Sequence, residues 1–192
     1  MTPYRPNARL TATPLWADLM LVAFLVALVA AARLLPHAPN FTPVVGAALF
    51  AGVTLHRHSL ALAVPVLAML VSDAVIGFES WGERLVIYAA LMLPAAIGIA
   101  ARRFRVSRMF VPAALASSLV FFAASNFAVW WFSGMYSHDM AGLVACYVAA
   151  LPFLHLTVAG DLFWSAALFG GAFLVQFASA RLRPQAEAAT QA

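Results

Sequence analysis

The chain has 192 residues, 65% of them hydrophobic and only 9% charged, a balance that excludes an ordinary soluble domain. Its formal net charge of +4 comes from eleven arginines against seven acids, with no polar platform of interleaved basic and aromatic residues that would read as a nucleic-acid surface. The absence of lysine excludes a P-loop of the common kind and a Schiff-base enzyme, and the single cysteine, Cys146, excludes an intrachain disulfide.

The pattern predicts an all-α integral membrane protein. Residues 1–15 read as a cytoplasmic N-terminal tail, 16–182 as one transmembrane helical domain and 183–192 as a cytoplasmic C-terminal tail. The first apolar run, 17–35, follows the basic stretch "PYRPNARL" and ends in small residues, as a signal peptide does. Its length matches a spanning helix and more runs follow, so it reads as the first membrane helix. On it, Ala23, Ala27 and Ala31 lie four apart, a spacing that lets another helix approach closely in lipid. Next comes "PHAPNFTP", in which Pro39 and Pro43 bracket Asn40 and Thr42. Non-helical backbone at membrane depth is tolerated only where protein buries it or a water-filled cavity meets it. The stretch is therefore either a tight loop or a cavity wall.

Further apolar runs fall at 43–56, 59–78, 84–101, 109–132, 142–158 and 161–181. Crossing a bilayer takes about 20 helical residues, so the run at 43–56 is short and the one at 142–158, interrupted by Pro152, is marginal. Arg5, Arg9, Arg57, the cluster "RRFRVSR", Arg181 and Arg183 fall in breaks that can all share the cytoplasmic side, whereas "SGMYSHDMAG" lacks arginine. Keeping both termini inside requires six spans, with 142–158 as a partial or re-entrant helix on the outer side.

The polar residues inside or beside the runs cluster on the expected outer side: Asp73, Asn126, Trp130, Tyr136, Tyr147, His155 and Asp161. Ionisable groups in spans are costly and usually face a bundle interior or cavity. Each also has a plainer reading. Trp130, Trp131 and Tyr136 fit an interfacial aromatic belt, Asn126 fits interhelical bonding, and Asp161 fits a helix start after Gly160. Cys146 and His155 have no recognised metal spacing, and Ser125 beside Asn126 has no histidine partner, so neither a metal, a cofactor nor a catalytic centre is expected.

In this order, "LPHAPNFTPVVGAALFAG", "LAMLVSDAVIGF", "SNFAVWWFSGMY" and "GLVACYVAALPFLHLTVAGDLFWSAALFGG" resemble an uncharacterised bacterial family of candidate membrane transport proteins. More remotely, size, span count and the alanine ladder are similar to the substrate-binding S components of energy-coupling-factor vitamin transporters. That resemblance implies an S-component-like bundle in a bacterial inner membrane. It also implies an outward-facing pocket for a vitamin-like solute and a transmembrane coupling subunit with ATPases as partner. It would put Asn40 and Thr42 in a capping segment, Asp73 and Asn126 in the pocket wall, and Ala23, Ala27 and Ala31 on the docking face. The expectation is a solute-binding transport protein that is not itself an enzyme. The rivals are a non-transporting assembly subunit and a membrane enzyme acting on lipid.

Overall fold

A computed structural model describes residues 14–77, 80–102 and 106–190. The expected N-terminal tail, apart from its last two residues, lies outside them, as do Arg5, Arg9, Arg103 and Arg105. Six helices follow in order: α1 (Leu15–Leu34), α2 (Val44–Thr54), α3 (His58–Ile76), α4 (Trp81–Ala101), α5 (Val106–Phe132) and α6 (Met140–Thr190). No strand occurs among the described residues. Five of the helices are long and apolar enough to cross a membrane, which makes the chain a multi-pass membrane protein.

The exception, α2, has 11 residues and therefore rises only about 16 Å. Nine of those residues are buried, and the helix packs against all five others. It is apolar all round because protein surrounds it on every side. Its closest neighbour is α4. Cβ atoms added at Gly52 or Gly98 would meet backbone carbonyl oxygens of Ala95 or Leu49 at 2.2 and 2.4 Å, so only glycine permits this approach. Prolines at 65, 94 and 112 lie inside α3, α4 and α5, as bundles in lipid allow when neighbours surround the freed backbone groups.

The two ends of the bundle are built differently. Where α1 begins, Asp18 accepts a hydrogen bond from Arg57 Nη1 at 2.5 Å, joining α1 to the α2–α3 turn. At the same end Arg102 closes the C-terminus of α2, its Nε donating to Gly52 O at 2.6 Å and its Nη2 to Leu55 O. A cation over the last carbonyls of a helix satisfies acceptors that have no intrahelical partner. Burial pulls the Arg102 guanidinium below its ordinary pKa. The other end gathers the C-termini of α1 and α3 with the N-termini of α2 and α4.

The expected partial or re-entrant helix at 142–158 does not form. Residues 142–158 and 161–181 belong to one helix, α6, that passes Pro152, Gly160 and Asp161 without a break and reaches Thr190, into the stretch read as a tail. Asp161 therefore starts no helix. The reason is the solvent: in an apolar setting a break would free several backbone groups, and a proline frees one. The apolar part of α6, Met140–Arg181, has 42 residues and a length of about 63 Å. It runs antiparallel to α5, pinned by Tyr147 Oη donating to Ala123 O at 2.5 Å and Ser118 Oγ to Asp161 Oδ2 at 2.6 Å. From Phe173 to Arg181 every residue is exposed.

Candidate solute cavity

A cavity of about 510 Å³ lies at the end where α1 and α3 finish. Its wall begins with the segment between α1 and α2. Asn40 sits there at a φ of 60°, in the left-handed region that asparagine tolerates better than most residues. Phe41 then leans on α6: its Cα would lie 3.0 Å from a Cβ at Gly160, and its ring centroid is 5.4 Å from that of Phe163. This fixes Asn40 and Thr42 in the cavity lining.

The charged centre is Asp73 on α3, only 3% exposed. Its Oδ1 accepts from Arg33 Nη2 at 2.7 Å, and its Oδ2 accepts from Tyr88 Oη at 2.7 Å and pairs with Arg84. One carboxylate therefore holds two guanidiniums and a phenol from α1 and α4. Charge-assisted bonds of this kind fix side chains in place where water is scarce. Arg84 also donates to Gly77 O at 3.3 Å, and Arg33 Nη1 to Met69 Sδ at 2.8 Å. Arg33 Nε is buried without a hydrogen-bond partner. Glu83 enters the lining from the first turn of α4, whose N-cap is Ser80. Val45, Leu91 and Phe121 supply apolar surface, and Thr157 and Asp161 of α6 complete the wall.

Of the residues singled out from sequence, Asn40, Thr42, Asp73 and Asp161 meet around this cavity. Asn126, Trp130, Tyr136 and Tyr147 lie along α5, α6 and the turn between them and are not part of the lining. Asn126 Nδ2 donates to Phe122 O at 2.8 Å within its own helix, and Tyr147 ties α6 to α5. Trp130 donates from Nε1 to Ser137 O at 2.9 Å, beside a Trp131–His138 stack with centroids 5.2 Å apart. Ala23, Ala27 and Ala31 share an exposed face of α1. Among the described residues no group of three or more His, Cys, Asp or Glu side chains could hold a metal ion.

A profile of a family of unknown function, DUF6580, matches residues 14–185. The chain belongs to DUF6580. No curated protein and no solved structure matches it. The DUF6580 match takes in every residue of the cavity wall, from Arg33 to Asp161.

Arg33, Arg84, Glu83 and Tyr88 of this DUF6580 chain line the cavity without having been expected there from the sequence. The arginines carried a usable signal. They fall at the end of the first run and the start of the fourth, opposite the basic clusters, where the positive-inside rule leaves arginine without a topological purpose. An arginine in such a place is a candidate partner for an acid inside the runs, and here both pair with Asp73.

Proposed function

We propose that the chain is a solute-binding membrane transport protein whose cavity takes a small, polar, hydrogen-bonding solute. The observation that carries this reading is the cavity itself. Its volume of about 510 Å³ lies within the range of small-molecule sites, about 300–1,000 Å³. A fixed Arg33–Asp73–Arg84 group, apolar walls and the backbone of residues 35–43 surround it. Wall aromatics are Tyr88 and Phe121, and the exposed His37, Asn40 and Gly77 mark the mouth. The arginines beyond α2 and α4 favour a cytoplasmic location for the opposite end, so the cavity faces outward across an inner membrane. In this reading the chain crosses six times, α2 returning it to the inside.

The finer proposal is an S-component-like role. It rests on the outer pocket beside the segment after α1 and on the exposed Ala23, Ala27 and Ala31, where a coupling subunit with ATPases would dock. Native mass spectrometry of the gently purified protein tests the reading. A stoichiometric water-soluble metabolite is expected, and Asn40→Gly, which keeps the φ of 60° accessible while removing a cavity-lining side chain, should weaken its retention. A bare chain, or one carrying only lipid and protein partners, would overturn it. That outcome would favour the assembly-subunit reading.

A further inference from the structure

One face of α6 is polar where it should be oily. Thr157, Asp161 and Ser165 follow one another at intervals of four, which stacks them on a single side of the helix, and they are 4%, 2% and 0% exposed. Opposite them α5 presents Ser118, also 0% exposed. Ser118 Oγ lies 2.6 Å from Asp161 Oδ2 and 3.0 Å from Ala114 O. A hydroxyl has one hydrogen, so it can donate to only one of these two oxygens. If Asp161 carries a proton, the carboxylic acid donates to Ser118 Oγ and Ser118 donates to Ala114 O, and both contacts are satisfied. One turn beyond Asp161, Ser165 Oγ is buried with no hydrogen-bond partner.

Among the described residues no opposite charge pairs with Asp161. Helix α6 packs against α2 and α5. The sequence of α2 contains no titratable residue, and the described α5 side chains, 111–132, contain none. The segment over Gly160 contributes His37, which is exposed, and on α6 itself His155 is exposed and Cys146 and Tyr147 lie about four turns away. Across the cavity stand Arg33, Asp73, Glu83, Arg84 and Tyr88. Both guanidiniums pair with Asp73, and among the described residues Asp161 forms no ion pair. Two arginines against Asp73 and Glu83 sum to zero, so an ionised Asp161 leaves the cavity one positive charge short. A lone carboxylate in a bilayer interior is strongly disfavoured.

We infer that Asp161, with the Ser118 and Ser165 hydroxyls, is an exchangeable site for one monovalent cation, a proton or a sodium ion, reached through the cavity. An oxygen-only donor set of one carboxylate and two hydroxyls suits either. The cation site stands on its own; that it couples to solute movement rests on the transport reading above.

The test is infrared difference spectroscopy of the full chain in lipid nanodiscs, following the carboxylic-acid carbonyl band. The pH is stepped from acid to alkaline, first in sodium chloride and then in choline chloride. The expected result is a band that disappears reversibly on alkalinisation, is missing in Asp161→Asn and changes frequency in Ser118→Ala. Loss of that band on adding sodium at constant pH identifies a sodium-competent site; indifference to sodium identifies a proton site. If Asp161→Asn does not fold, the Ser118→Ala shift and the wild-type titration still decide. A band that never titrates while the protein stays folded, or one unaffected by both substitutions, overturns the inference. A cation response in a protein that retains no solute would keep the site and remove the transport reading.

Discussion

The two ends of this bundle use the same residue type to opposite effect. At one end Arg57 and Arg102 close structure: the first ties α1 to the α2–α3 turn through Asp18, and the second finishes α2 by binding its terminal carbonyls. At the other end Arg33 and Arg84 meet on a buried Asp73 in the wall of the cavity. The difference lies in what the guanidinium finds. Helix-end carbonyls draw it into a compact cap, whereas a carboxylate shared by two arginines joins α1, α3 and α4 beside the cavity. Charge can therefore line a hollow as well as finish a helix end.

The strongest way to break the comparison is Asp73→Ala. It leaves Arg33 and Arg84 facing each other without their shared anion, and a buried pair broken from one side costs about 3–5 kcal/mol. Denaturant or thermal unfolding in detergent should show the loss, and a fall below about 1 kcal/mol would mean that water, not Asp73, stabilises the arginines. Next comes Gly52→Ala in the α2–α4 seam, where the new methyl would meet Ala95 O, a backbone atom that cannot swing aside. Overpacking of this kind should cost about 1–3 kcal/mol and lower the melting temperature. Arg57→Gln, at the closed end, should cost less than Asp73→Ala, because 40% of the Arg57 side chain is exposed and a glutamine amide can still donate to the buried Asp18 carboxylate. Solute retention should survive it, whereas Arg84→Gln should abolish retention, a contrast that native mass spectrometry reads directly.

The smallest effect concerns the start of α6. Asp139 Oδ1 accepts from Gly142 N–H at 2.7 Å and from Ser137 Oγ at 2.9 Å, and these bonds, the backbone one first, hold its carboxyl below the usual range. The cap contributes fully above the unfolded carboxylate pKa of about 4 and is lost as pH falls through the lower folded value. Asp139→Ala should therefore lower stability slightly at neutral pH and flatten the acid limb of a stability-against-pH curve.

Much of this was legible in the residues. Hydropathy located each apolar run, and "PHAPNFTP" announced the irregular backbone that now borders the cavity, because proline spacing and bilayer physics act locally. Asp73 and Asp161 could be singled out because an acid inside an apolar run is expensive wherever it points. Partnership was less legible. Asn126 and Tyr147 look like pocket residues in a linear reading, yet each has a carbonyl within reach on α5, a fact set by helix rotation. The continuity of α6 was hidden because Pro152 and Gly160–Asp161 carry the marks of a break in water, where freed amides are solvated at little cost.

The length of α6 has a mechanical consequence. From Asp161 to Arg181 the helix extends about 30 Å at 1.5 Å per residue. One rod thus has its middle at the cavity wall and its far portion, 173–181, exposed. On a rod of that length, a rotation of roughly 5° about Asp161 would displace Arg181 by about 3 Å. A small rotation at the cavity wall would therefore reach the exposed end of the helix multiplied by the length of the rod.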